Sequence, residues 1–295
     1  MSNTKDGIYI PERFEKAVTL HLLKNKLADG QHISPPLIMG IDGLPGTGKT
    51  YQCHKVLEKL NYASITITGS ELENATAGEP AELIREKYIN AHYKLETKTV
   101  KGAALVFDDL DVFIGDWGSN VQYTVNRQFI FGELMALADN PNQVGDVKTH
   151  RIPIIITGND FTKLYEPLTR PGRFERFTWI PQKEEIVDIA TSILYFADKE
   201  VVKNLTFALI NLYENNGLKT IPISFFSHLK SILVDDAIWE YYKNNPSLDY
   251  SNPEDFKIFF NEFFNKPDFK DILIDKATLL SKKTYFEQHF RTSAA

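Results

Sequence analysis

Five short apolar runs punctuate the first half of the chain: Leu37 to Ile41, Ser64 to Ile67, Ala103 to Phe107, Ile152 to Ile156 and Phe177 to Ile180. Runs of this length, bounded by turn or charged residues, read as strands buried on both faces. Segments long enough for helices separate them, so the order predicts a doubly wound parallel sheet in an α/β domain. The stretch Arg13 to Leu27 alternates at Val18, Leu20 and Leu22 but also sets Leu20, Leu23 and Leu27 at helical spacing; its length favours a helix. Beyond Pro181 the period changes. Ile186, Ile189, Ala190, Ile193 and Leu194 share a helical face, as do Phe225, Leu229, Ile232 and Leu233. A smaller all-α domain over 182–295 is therefore predicted after an α/β domain over 1–181, its tail from Asp255 to Phe290 forming two helices divided near Pro267.

Composition narrows the class. With 43% hydrophobic residues, 20 Phe and 13 Tyr in 295 residues, real cores can be filled. No stretch has the apolar length of a membrane span, and the opening residues lack a secretory layout, so a cytoplasmic or equivalent reducing compartment is expected. The single cysteine, Cys53, reads as a small buried residue, and the seven histidines show no metal-ligand spacing along the sequence. At a net charge of −6, with Lys and Arg interspersed among the acids, a nucleic-acid partner is disfavoured.

One motif decides the chemistry. Gly43-Leu44-Pro45-Gly46-Thr47-Gly48-Lys49-Thr50 satisfies G-x-x-x-x-G-K-[ST] between a predicted strand and a predicted helix. Glycines let successive amides turn onto phosphates, the helix offers its positive end, Lys49 reaches the β and γ oxygens, and Thr50 ligates magnesium. ATP and Mg2+ are the expected cofactors. The run Ala103 to Phe107 ends in Asp108 and Asp109, one carboxylate for the metal and one for the attacking water; the alternative is that these acids only cap the next helix. Ile154 to Thr157 ends in Gly158 and Asn159, which suits a polar sensor of the γ-phosphate. Arg170, Arg173 and Arg176 flank a Pro-Gly turn, where Arg170 and Arg173 are candidates for fingers supplied to a neighbour, implying a closed head-to-tail ring. A solvated basic loop is the other reading of that turn.

From about Tyr9 to Gln288 the motif order resembles Rubisco activase, an AAA+ family. The resemblance rests on Gly69-Ser-Glu-Leu-Glu73, Ala77-Gly-Glu-Pro-Ala81, Asp109-Leu-Asp111, Gln122-Tyr-Thr-Val-Asn126, Ala138-Asp-Asn-Pro141 and Ile154-Ile-Ile-Thr-Gly-Asn-Asp-Phe161. It implies an α/β nucleotide-binding domain with a helical lid and a homohexamer. The implied work is ATP-driven remodelling of Rubisco blocked by sugar phosphates, and the implied location is the cytoplasm, plastid stroma or carboxysome. It also implies pore-facing loops at Leu72 to Gly78 and Phe113 to Asn120. The sequence departs from that family at Asp108, where an Asn is usual, at the proline within Thr169-Arg-Pro-Gly-Arg173, and at Lys230 and Ile232, which stand where two lid arginines are usual. Lys230 is thus the lid's candidate nucleotide contact. A remodelling ATPase with another protein client, or a P-loop kinase or nucleotide switch, remain the alternatives.

Overall fold

The structure, a computed structural model, describes residues 9–29, 31, 33–72, 78–114, 124–245 and 253–282. They form two compact units, one over Ile10–Ile180 and one holding Tyr9 and the residues from Pro181 onward.

In the first unit, helix α1 (Glu12–Ala28) precedes strand β1 (Ile38–Asp42), α2 (Lys49–Lys59), β2 (Tyr62–Ile67), the short α3 (Gly69–Leu72) and α4 (Glu79–Glu96). Then come β3 (Gly102–Phe107), the short α5 (Leu110–Ile114), α6 (Thr124–Asp139), a small hairpin of β4 (Gln143–Val144) and β5 (Val147–Lys148), and the strands β6 (Ile154–Gly158) and β7 (Phe174–Thr178). The five main strands are all parallel in the order β2-β3-β6-β1-β7. Because β6 is inserted between β1 and β3, the strand ends carrying the phosphate loop and the acidic pair stand on either side of the strand that ends in Asn159.

Alternation along the central strands divides the core into two layers. Leu105, Phe107, Ile154 and Ile156 pack with Ile84 and Tyr88 of α4 and Ile130 and Leu134 of α6. Ala104, Val106 and Ile155 pack on the other face with Phe14, Val18 and Leu22 of α1 and Val56 and Leu57 of α2. Each such side chain is nearly or wholly inaccessible, a burial that stabilises by about 1.5–3 kcal/mol for each Val, Leu, Ile or Phe.

The last strand corrects the sequence-based expectation of Phe177 to Ile180. It runs instead from Phe174 to Thr178, and its residues alternate in burial because β7 is an edge strand with a neighbour on one side only. Glu175 and Arg176 interrupt the apolar run but are satisfied by Lys24 and Asp42.

The second unit is helical: α7 (Lys183–Ile193), α8 (Lys199–Asn215), α9 (Ile223–Asn244), α10 (Pro253–Phe264) and α11 (Phe269–Leu280). Gln182 and Glu185 close a capping box at α7, and Asp198 caps α8. Pro267 lies between the last two helices. Phe225, Phe226, Leu229, Leu233 and Leu273 are fully buried in its core. Most of each segment expected to face a pore, 73–77 and 115–120, lies outside the described residues.

Candidate functional site

The loop from Gly43 to Gly48 leaves the carboxyl end of β1, a buried strand flanked by β6 and β7, and enters α2 directly. Gly48 sits in the left-handed region at φ 77°, and among the described residues the N-cap of α2 offers its first turn no side-chain hydrogen bond. The leading amides of that helix are therefore left for an external acceptor, an arrangement that suits an anion. At Gly43, with φ 152°, an added Cβ would lie 2.2 Å from the Trp179 carbonyl oxygen, so the loop is closed down on the segment after β7. Trp179 also supports it from below. Its indole Nε1 donates to the Thr47 carbonyl at 3.1 Å, while its ring packs edge-on to Phe14 and lies under the Arg13 guanidinium.

Lys49 is buried, and its ammonium donates to the carbonyls of Gly43 at 2.9 Å and Leu44 at 3.1 Å and to Asn159 Oδ1 at 3.0 Å. Burial pulls its pKa down, against the opposing pull of Asp109, Asp111 and Asp42. All three acceptors are neutral. Phosphate oxygens are stronger partners, so a bound triphosphate would take these donors.

Beside Lys49, the hydroxyls of Thr50 and Thr157 meet at 3.0 Å, and Thr157 Oγ1 also accepts the Asp109 amide at 3.2 Å. Thr157 thus links the start of α2 to the ends of β3 and β6. Asp108 completes the group. Burial raises its pKa, opposed by His54 and by hydrogen bonds from Thr50 and Thr157. Its Oδ1 is buried without a hydrogen-bond partner among the described residues. An orphaned carboxylate oxygen beside a threonine hydroxyl is the donor set a hard divalent cation takes, so the residues present fit magnesium. Asp109, at φ 46°, is exposed and next to this pair.

Asn159 is held by a residue that the sequence left without a role of its own. Asp111 is fully buried, and its Oδ2 accepts the amides of both Asn159 and Asp160 at 2.8 Å. Neither Asp111, Thr157 nor Trp179 could be assigned from spacing, because their partners lie 48 to 132 residues away.

The structure separates the arginines. Arg176 turns back along β7 to pair with the buried Asp42. Arg170 and Arg173 precede β7, and the Ile38 amide at the start of β1 donates to the Arg173 carbonyl. They therefore lie at the amino edge of the sheet, about 15 Å from the phosphate loop at some 3.3 Å per strand residue. Arg173 is engaged within its own chain, donating through Nε and Nη2 to Asp139 at 2.6 Å each and through Nη1 to the Pro167 carbonyl. Arg170 is more exposed and has Glu166 at 3.7 Å. Lys230 belongs to the helical unit, its ammonium 4.9 Å from the Tyr195 ring centre; Ile232 packs, half-buried, against that unit's core.

Comparison with known proteins agrees with this geometry. The AAA family, ATPases associated with various cellular activities, matches residues 39–182. Over 244 residues the chain is 36% identical to ribulose bisphosphate carboxylase/oxygenase activase 2, chloroplastic, of Nicotiana tabacum, covering 81% of this chain and 53% of the tobacco protein. The corresponding activases of Chlamydomonas reinhardtii and Arabidopsis thaliana are 38% and 36% identical over 243 and 250 residues. Those alignments cover 80% and 83% of this chain, and 57% and 51% of the algal and Arabidopsis proteins. The chain thus spans about half the length of the curated relatives it matches. No described helix is long and apolar enough to cross a membrane.

Proposed function

We propose, from a chain that belongs to the Rubisco activase-like AAA+ ATPases, that it hydrolyses ATP to drive the remodelling of a protein client, and that the client is Rubisco. The observation that carries this reading is the convergence of Lys49, Thr50, Asp108 and Asn159 at the carboxyl edge of the sheet. In that reading the backbone from Gly43 to Gly48 cradles the phosphates and Lys49 binds the β and γ oxygens. Thr50 and Asp108 would hold magnesium, which offsets charge on the phosphates. Asp109 orients the attacking water, and Asn159, fixed by Asp111, positions the γ-phosphate. Groups fixed in advance in this way lower a barrier most.

Completion of the site needs a second copy. Arg170 and Arg173 are at the opposite edge of their own sheet from their own chain's phosphate loop; the exposed Arg170 is the finger offered to an adjacent subunit, and Arg173 joins it on leaving Asp139. Repeated head-to-tail contacts of this kind close into a ring, and the resemblance to the activases supports a hexamer. A plastid, carboxysomal or cytoplasmic setting follows from whichever compartment holds the client.

The deciding test is recovery of carboxylation by Rubisco inhibited with a tight-binding sugar phosphate. Recovery with ATP, and none with a nonhydrolysable analogue, is the expected result. Brisk ATP hydrolysis with no recovery would move the assignment to a different protein client.

A further inference from the structure

Apart from the phosphate loop, the fold assembles a second cluster of metal-ligating side chains, one that the sequence spacing of the histidines does not suggest. His92 and Glu96 are four residues apart and so share one face of α4, near its carboxyl end. His150 comes from the segment entering β6. One ligand atom from each of the three lies within 4.8 Å of the other two. His150 Nε2 is 2.7 Å from Glu96 Oε1, and the His92 and His150 ring centres are 5.2 Å apart. The His150 amide donates to His92 Nδ1 at 3.2 Å, a bond that His92 gives up when that nitrogen binds an ion, or when its proton moves there so that Nε2 can.

The support behind the cluster is as informative as the cluster. His150 Nδ1 is 2.8 Å from Asp29 Oδ2. The other oxygen of Asp29 is itself fixed, accepting the Arg151 amide at 3.1 Å and the Asn142 side-chain amide at 2.8 Å. A carboxylate on one imidazole nitrogen sets the proton there and turns the other nitrogen's lone pair outward, the arrangement that supports histidine as a ligand. That lone pair then faces the Glu96 carboxylate at hydrogen-bonding distance. Two acceptors so close require a cation between them, either a proton or a metal ion.

We propose that His92, Glu96 and His150 form a binding site for a divalent transition metal of the zinc class, with Asp29 as the positioning residue behind His150. Two imidazoles and one carboxylate are a donor set of that class, whereas magnesium and calcium take oxygen ligands. Zinc ligands at 2.0–2.2 Å stand about 3.3 Å from one another, so the His150–Glu96 pair at 2.7 Å must open slightly while the wider separations, up to 4.8 Å, close, small adjustments for an exposed Glu96 and two half-buried imidazoles. Because the cluster is only half-buried, water takes the remaining coordination position. The bound ion joins the end of α4 to the segment that feeds β6, and Asp29 extends the tie to the end of α1; its role is that of a clip at the sheet's amino edge.

Cobalt titration of the untagged full chain tests the site, in the Asp108→Asn background so that the phosphate-loop site lacks its carboxylate ligand. About one equivalent of Co2+ giving a visible d–d spectrum, displaced by Zn2+, is expected, together with a zinc-dependent rise in Tm. The spectrum should vanish in His92→Ala and in His150→Ala. Asp29→Asn should weaken binding by about 10- to 100-fold. Glu96→Gln, a change at an exposed position, tests the same ligand set without threatening the fold and should also abolish the spectrum. Absence of a Co2+ spectrum and of any zinc shift would mean that a proton alone holds the cluster, and would overturn the proposal. So would binding that persists unchanged in a His92→Ala/His150→Ala double variant.

Discussion

Removing the Asp111 carboxylate separates the placement of Asn159 from the binding of phosphate. Its Oδ2 takes two amide hydrogen bonds at 2.8 Å, from Asn159 and Asp160, at a fully buried position. Hydrogen bonds to a charged group contribute about 1.5–3 kcal/mol each, so Asp111→Ala withdraws roughly 3–6 kcal/mol of local support and leaves two amides without that partner. The loop will relax to recover part of this, and a displacement of about 1 Å of a positioning group costs on the order of 100-fold in rate. That factor corresponds to about 2.7 kcal/mol of barrier. Asp111 accepts the Asn159 and Asp160 amides and acts on Lys49 through its charge, so kcat should fall by more than nucleotide affinity does. Asp111→Asn keeps an acceptor oxygen and loses the charge; its kcat should fall between the two. Steady-state ATP hydrolysis at saturating nucleotide, with equilibrium binding of a fluorescent analogue and a thermal melt on the same preparations, reads all three quantities. A folded Asp111→Ala protein turning over ATP within about threefold of the parent would refute the positioning argument.

Substitution of Arg170 by alanine should leave nucleotide binding intact and reduce hydrolysis by about 10³-fold or more if it completes a neighbour's site; unchanged specific activity would exclude it. Asp139→Asn releases Arg173 from its fork and should alter hydrolysis with little change in Tm, since the pair is solvent-exposed. Gly43→Ala places a methyl group 2.2 Å from the Trp179 carbonyl at a backbone conformation that suits glycine, and should cost about 2–4 kcal/mol and abolish nucleotide binding; normal melting and binding would show that the loop yields freely. His21 is buried and its pKa is lowered to about 4 by that burial, from 6.5. At pH above 6.5 both folded and unfolded states hold it neutral. As the pH falls toward 4 the unfolded chain gains a proton that the folded chain refuses, so stability should drop by about 3 kcal/mol over that window. Glu71 is held below the usual carboxylate range by Lys87 and the Thr68 amide, and Asp160 by Thr162; their stabilisation is present at neutral pH and is lost as the pH falls further. Denaturant melts of parent and His21→Asn between pH 7 and 4 check this, and identical slopes would contradict it.

The site was partly legible because its central features are local. Gly43 to Thr50 lie next to one another and between a strand and a helix, and the acids after β3 and the asparagine after β6 each follow an uninterrupted apolar run. Edge strands do not read this way. Glu175 and Arg176 broke the pattern of β7, and only the fold reveals that Lys24 and Asp42 answer them. Supporting residues are equally silent in sequence: Trp179 under Thr47, Thr157 between Thr50 and Asp109, and Asp111 beneath Asn159 act across the sheet. The arginines were visible as a cluster, but their separation into Arg176 toward Asp42 and Arg170 with Arg173 at the far edge depends on strand direction. A parallel sheet sets the start of β7 level with the start of β1, and nothing in the turn sequence specifies that register.

Everything proposed for catalysis requires a magnesium-bound triphosphate seated on the loop that ends in Lys49 and Thr50. Equilibrium titration of the full chain and of Lys49→Ala with a nonhydrolysable magnesium–ATP analogue measures this most directly. The parent should bind, and the variant should lose affinity by about 100-fold or more, as expected when a buried ammonium that meets the phosphates is deleted. Equal affinity in the two proteins would place the nucleotide elsewhere and contradict the account.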